Sequence, residues 1–250
     1  MNQLEKNNTL FSRSNNKLQT GHVEIKAYPN INNKISFYAT ADKMIIDWGD
    51  GSIEMAALNG FNRYIVHEYF NQYLQTIKVN TKEMTQFGNK NNSKDITFQK
   101  LRFYNCSKFT NLECYSNQLL SLDISGCSDL VKINCWDNQL SYLDVSKCTA
   151  LKQLACGRNS LTSLDVSKCS KLIRLNCDEN ALIALDVSKC MVLISLNCNN
   201  NQLSTSALNS LFKSLPKRNP DDEAVITCYN NSGFETCDKT IATRKGWRVN

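Results

Sequence analysis

Cysteine is the residue type whose abundance first suggests chemistry in this chain, with twelve among 250 residues. Ten of them form two interleaved columns, Cys106, Cys127, Cys148, Cys169, Cys190 and Cys114, Cys135, Cys156, Cys177, Cys198, at intervals alternating between 8 and 13 residues. A zinc site uses closely spaced ligands, often with histidine, and the chain has only two histidines, His22 and His67. A disulfide needs Cβ vectors that converge, whereas residues stacked at a fixed period point in parallel. The columns therefore read as small buried hydrophobes. Cys228 sits in a sixth copy of the motif, Ile226 to Asn231, after an insert that breaks the period, Cys237 lies outside both columns, and a bridge between the two stays open. The other acids and bases form no catalytic set: GxSxG, HExxH and P-loop patterns are all absent, and neither histidine lies in the repeats. This reading predicts no catalysis and no cofactor or metal.

The cysteines mark a longer pattern of 21 residues, LxxLxCxxNxLxxLDVSxCxx, as in residues 151–171. Such a period, in register over five copies without insertion, predicts a solenoid whose parallel strands stack their Leu and Cys inward. Burial of each Leu is worth about 1.5 to 3 kcal/mol. Asn117, Asn138, Asn159, Asn180 and Asn201 recur three residues after the cysteine. A polar residue at an inward corner must be bonded, so these five are expected to be structural. Asp123, Asp144, Asp165 and Asp186 form a carboxylate column in the LDVSxC half. That half is too short and β-branched for a helix, so extended strand or loop is expected. Lys147, Lys168 and Lys189 offset the acids, and the column reads as a solvated face rather than a cation site.

With these motifs in view, the chain resembles a bacterial leucine-rich-repeat protein of the nested 21-residue class. Ahead of the repeats, Asp47-Trp48-Gly49-Asp50-Gly51, then His67-Glu68-Tyr69 and Tyr73 to Val79, resembles the PKD-type, immunoglobulin-like domain. It departs from that pattern at Asn71-Gln72, where those domains usually have a glycine. The resemblance implies a mainly β chain: a leucine-rich-repeat solenoid with a parallel sheet, an immunoglobulin-like β-sandwich cap before it, and short helices in a C-terminal cap. It also implies a secreted or cell-surface location with the signal sequence removed, the cytoplasm being the alternative.

Four segments follow. Residues 1–20 are polar and asparagine-rich and predict a flexible lead-in. Residues 21–84 give short alternating runs that suit a β-sandwich, with Asp50-Gly51 as a hairpin signal. Residues 85–203 hold the repeats, entered through an irregular junction over 85–100, with Leu101 and Phe103 aligned to Leu122 and Ile124. Residues 204–250 form the terminal repeat and cap, with an amphipathic helix from Ser204 to Pro216, a short helix near Lys239 to Lys245, and a strand at Trp247-Arg248-Val249. A cap is physically required, because a solenoid end exposes apolar faces and strand edges.

The net charge of +6 comes from 29 basic and 23 acidic residues scattered along the chain, without a basic run. Nucleic acid is thereby a poor partner, and no apolar stretch is long enough for membrane insertion. The strand ladder instead presents outward columns. One runs Tyr115, Trp136, Gly157, Asp178, Asn199, Tyr229, the next Glu113, Asn134, Ala155, Asn176, Asn197, Thr227, and a third carries Lys132 and Arg174. Tyr115 is expected beside Trp136, near Lys132 and Glu113, with Arg158 at the strand's exit. Exposed aromatics with a charged rim are what binding hot spots are made of. The expected partner-binding residues are Tyr115, Trp136, Lys132, Glu113, Asn134, Arg158, Arg174, Asp178 and Tyr229. The expected function is a non-catalytic protein-binding or adhesion module at the bacterial surface, with a host protein among the candidate partners. Glycan recognition is the second reading and a structural spacer the third.

Overall fold

The computed structural model describes residues 21–30, 32–89 and 97–250. The expected lead-in over 1–20 and the middle of the expected junction lie outside these residues. The chain divides into two compact units, residues 1–128 and 129–250.

The first unit contains strands β1 (Gly21–Tyr28), β2 (Lys34–Thr40), β3 (Lys43–Asp47), β4 (Ile53–Ala57), β5 (Asn62–Glu68), β6 (Gln75–Lys82), β7 (Gln86–Gly88), β8 (Thr97–Tyr104), β9 (Asn111–Glu113) and β10 (Ser121–Asp123). One sheet runs β10-β8-β1-β6-β3-β4, and β9-β7-β2-β5 are neighbours in a second. Alternation in β1 sends Val23, Ile25 and Ala27 inward. The two sheets meet on rings: Phe87 packs on Phe37 at 5.2 Å and edge-on against Phe103 at 5.5 Å, and Phe103 stacks on Phe109 at 5.0 Å.

The paired aspartates of the Trp48 segment are committed to a turn. Asp47 Oδ1 accepts from the Gly49 amide at 3.0 Å, and Asp50 Oδ1 accepts from the Ser52 amide at 3.0 Å. Asp50 Oδ2 lies 2.8 Å from His67 Nε2, and the His67 ring stacks on Trp48 at 4.6 Å. The buried Tyr69 hydroxyl donates to the Trp48 carbonyl at 2.9 Å. Gly49 is needed twice: its φ is +84°, and a Cβ would collide with the Thr76 carbonyl.

Of the stretch expected as an irregular junction, the described residues are mostly strand. It holds β7 and the start of β8, and β8 is a full member of the larger sheet. Its apolar residues Phe98, Leu101 and Phe103 are all buried, although the first step is three residues and the second two. The register shifts there: Lys26 faces Lys100 but Ala27 faces Phe98, so Gln99 is extra. This bulge resets the pleat and hides the strand from a period-two reading. The expected alignment of Leu101 with Leu122 holds, as partners in the parallel β8–β10 pair.

The second unit is a parallel ladder of β11 (Lys132–Asn134), β12 (Gln153–Ala155), β13 (Arg174–Asn176), β14 (Ser195–Asn197), β15 (Val225–Thr227) and β16 (Arg248–Val249). Ile133, Leu154, Leu175, Leu196 and Ile226 occupy equivalent inward positions in the first five strands. Beside them Cys135, Cys156, Cys177, Cys198 and Cys228 are fully buried. The LDVS half-units of this ladder are loops. Asp144, Asp165 and Asp186 each accept from the amide of the serine two residues on, at 2.8 Å, so their carboxylates fix turns.

Helix α1 (Thr205–Ser214) is capped by Ser204, whose side chain accepts from the Ala207 amide at 3.3 Å, and it buries Leu208, Leu211 and Phe212. Lys245 Nζ satisfies two carbonyls near its end, Lys213 O at 2.5 Å and Leu215 O at 2.7 Å. Helix α2 (Thr240–Thr243) follows, and Gly246 at φ +82° turns the chain into β16. Trp247 is buried there, its indole donating to Pro216 O at 2.8 Å. Among the described residues no helix is long and apolar enough to cross a membrane.

The asparagines close each coil. Asn180 Nδ2 bonds Cys177 O at 3.2 Å and Asp178 O at 3.0 Å in its own rung and Cys156 O at 3.0 Å in the one before, while its Oδ1 accepts from Leu161 N at 2.9 Å. Asn159 and Asn201 repeat that set, Asn138 bonds Cys135 O and Trp136 O, and Asn117 bonds Cys114 O and Tyr115 O. The residue before each asparagine is left-handed: Ser116, Asp137, Arg158, Glu179 and Asn200 have φ between +47° and +59°. That conformation costs roughly 1–2 kcal/mol for a residue with a Cβ, and the amide bonds hold it. Asn180→Ala should lower the unfolding free energy by about 3 kcal/mol or more in denaturant titration, whereas the exposed Ser163→Ala should stay within about 0.5 kcal/mol.

Candidate functional site

The outward residues of the second unit gather around strand β12. Trp136, half-buried, is covered by the Arg158 guanidinium, whose Cζ is 4.6 Å from the ring centroid. Arg158 Nε in turn donates to Glu179 Oε1 at 3.0 Å. Both partners are well exposed, so the ion pair adds little stability, but it fixes the guanidinium over the indole. Arg158 reaches this position from its left-handed turn, as does Glu179. Since every rung has such a residue, that backbone belongs to the scaffold.

Gly157 lies on the rung between Trp136 and Asp178, and a Cβ there would overlap the Asp178 carboxylate and lie 2.8 Å from Trp136 Cδ1. Asp178 is only 9% exposed, and its Oδ1 has no hydrogen-bond partner among the described residues. Burial raises its pKa, the nearby Glu179 adds to this, and Arg158 pulls the other way. Asp178, expected as a partner-binding residue on an open face, is thus almost entirely covered. The missing side chain at Gly157 allows it to fold down. Tyr229 is 42% exposed and lies four rungs from Trp136, about 19 Å at the usual strand spacing.

Lys132, Asn134 and Arg174 do come together. With Gln153, Ala155, Asn176, Ser195 and Asn197 they line a groove of about 310 Å³ across β11 to β14. Glu113 and Tyr115 belong to the first unit. Glu113 ends β9 and Gly88 is its partner in β7. The Tyr115 carbonyl accepts from Asn89 Nδ2 at 3.0 Å. Tyr38, which sequence reading did not single out, is close to both: burial, then the Glu113 and Tyr115 charges, pushes its hydroxyl up to about 12. Its outward place in the KISFYAT alternation was the available signal.

A second concavity, of about 900 Å³, lies between α1 and the convex turns. Asp165, Asp186, Ser188, Ser210, Lys213 and Ser214 are in its wall. Sequence reading missed it, although Ser206, Ala207, Ser210 and Ser214 give α1 a small, polar face opposite Leu208, Leu211 and Phe212. The thiols offer little chemistry. Burial pushes Cys135 up to about 12 and raises Cys156, Cys177 and Cys198 well above the ordinary thiol range. Cys228 and Cys237 are free thiols, and Cys237 Sγ donates to Phe234 O at 3.2 Å. Cys106 differs, its pKa lowered by a hydrogen bond from Cys127.

No family model matches the sequence, and no curated protein matches it. Solved structures do resemble it. An internalin, InlF, of Listeria monocytogenes is 19% identical with a TM-score of 0.50, over 58% of this chain and 41% of that one. The fold is a leucine-rich-repeat solenoid, mainly β with few helices. The functional domain of InlJ from Listeria monocytogenes, which includes a cysteine ladder, is 28% identical over 56% of this chain and 34% of that one, with a TM-score of 0.41. A leucine-rich-repeat protein of Leptospira interrogans is 16% identical over 58% of this chain and 43% of its own, with a TM-score of 0.42. The chain thus spans less than half the length of each of these three structures.

Two outcomes follow from the geometry. Because the folded pKa of Asp178 is raised, its stabilising protonated form is complete below the unfolded carboxylate pKa, near 3.9, and the contribution is lost as pH rises through the folded value. Asp178→Asn should gain stability relative to the parent across that window and hold a constant advantage at neutral pH, as read from paired denaturant titrations. In native protein at pH 8, an alkylating reagent should modify the partly exposed Cys237 and spare the buried Cys106 and Cys135 to Cys198 until denaturant is added, as mapped by peptide mass.

Proposed function

We propose that the chain is a non-catalytic binding module whose solenoid sheet face takes a protein partner. One observation carries the reading: an indole and a guanidinium are held against each other beside a groove lined by amide and cationic side chains. Trp and Arg are the residues on which binding energy concentrates, and the Glu179 contact fixes the arginine before a partner arrives. In the same reading the module acts in adhesion at the bacterial surface or after secretion, and its partner is a host protein. The 21–84 segment serves as a PKD-like, immunoglobulin-like cap, supported by the Trp48, His67 and Tyr69 cluster. The repeats then run from 85 to 203 and the terminal repeat and cap from 204 to 250. Tyr229 lies at the periphery of the binding surface, and Asp178 acts by supporting the Trp136 rung.

Glycan recognition is supported by Asn134 and Asn176 in the groove, but Arg158 occupies one face of the Trp136 ring. The test is capture of a partner from host-surface extracts by the chain and by Trp136→Ala, with circular dichroism to show that both fold alike. The expected loss on Trp136→Ala is about 2 kcal/mol or more, roughly a thirtyfold weakening. A partner retained in full by the variant would remove the sheet face from the function, and a glycan captured in place of a protein would favour the second reading.

A further inference from the structure

Ala155 makes a notch in the groove. Its neighbours in the same outward column are Asn134 on β11 and Asn176 on β13, with Asn197 one strand further. Adjacent strands are about 4.8 Å apart, so the two flanking asparagines are roughly 10 Å from each other with only a methyl group between them. The orientation of these amides is fixed from within. Oδ1 of Asn134, Asn176 and Asn197 each accepts from the backbone amide two residues on, Trp136, Asp178 and Asn199, at 3.3 Å. Each Oδ1 is thus turned toward the chain itself, which leaves the NH2 groups as the outward atoms of the three amides. Arg174, exposed, stands in the neighbouring column of β13, and Lys132 in that of β11. The groove lining contains no carboxylate, and apart from the inward-turned asparagine oxygens its side-chain acceptors are those of Gln153 and Ser195.

A surface that donates and carries positive charge selects a ligand that accepts and carries negative charge. We infer that the Ala155 notch seats a side-chain carboxylate from an acidic stretch of a polypeptide partner, with Asn134 and Asn176 donating from either side and Arg174 supplying the charge. The inference rests on the sheet-face reading above and names the chemistry of what that face takes. A polypeptide fits better than an anionic sugar for two reasons. A sugar ring needs an aromatic face, and one face of Trp136 is already covered by Arg158. Sugar hydroxyls also need acceptors as well as donors, and the three asparagines turn their acceptors toward their own backbone.

The test is fluorescence anisotropy of a labelled, glutamate-rich octapeptide with the full chain at low and physiological salt, beside a sulfated oligosaccharide as second probe. Two variants are compared: Ala155→Ile, which fills the notch and leaves the charge unchanged, and Arg174→Glu. The peptide should bind, more weakly as salt rises, and either substitution should weaken it at least tenfold, with circular dichroism unchanged. Binding of the peptide that Ala155→Ile leaves intact would overturn the notch, since only general charge would remain. Binding of the oligosaccharide without the peptide would overturn the choice of polypeptide. A partner captured from extracts that is lost on Trp136→Ala but kept by Ala155→Ile would also overturn the inference while leaving the sheet-face function standing. A partner indifferent to both substitutions would remove that function itself.

Discussion

The constraint on which the second unit depends is that every rung must turn a corner in the same way and hand its neighbour the same hydrogen bonds. One asparagine per coil meets it. Its amide spans two consecutive rungs, as when Asn201 bonds both Cys177 O and Cys198 O, and its carbonyl takes an amide proton from the loop of the coil before, Leu182 N. The corner forces the preceding residue into the left-handed region at a cost that would favour glycine, yet Arg158, Glu179 and Asp137 stand there. Because the amide bonds hold the corner, these positions are free to carry functional side chains. Arg158 over Trp136 is the product of that freedom.

A ladder whose inward side chains are fixed can vary its outward ones at little cost to stability. Gly157 and Ala155 show how small residues shape such a face. Without a Cβ at 157, the Asp178 carboxylate folds down into cover and Trp136 lies close beside it. With only a methyl group at 155, the two flanking asparagines stand apart with donors exposed. The solvation cost of the covered carboxylate is carried by the burial energy of the Leu and Cys columns beneath it. The same stacking makes the thiols chemically quiet, since a thiolate in the column would be a charge in an apolar core.

The ends solve a different problem. At one end of the second unit α1 interrupts the period between β14 and β15, and its residues Leu208, Leu211 and Phe212 cover the core. Arg218 reaches back to bond Leu193 O at 2.8 Å and also Met191 O, and Trp247 closes beneath Pro216. Within the first unit, short strands of repeat type join both sheets as parallel neighbours, β9 beside β7 and β10 beside β8. Parallel pairing of this kind satisfies the ladder groups that an open strand would leave to solvent.

The sequence by itself determined the repeating parts, because stacking writes the same requirement into each 21-residue period. The inward Leu and Cys columns, the corner asparagines, the α1 boundaries and the outward columns could all be read from spacing. It was silent where geometry is set by an exception to the period or by atoms distant in the chain. The Gln99 bulge disguised β8 because it shifts the pleat by one residue. Asp178 read as an open-face residue because its column faces outward, and only the tertiary packing shows it turned down over Gly157. The Arg158–Trp136 contact and the wall shared by α1 and the convex turns likewise depend on rotamers and on the docking of an inserted helix. Periodicity fixes which way a Cβ points; where the rest of the side chain goes is decided by the neighbouring rungs.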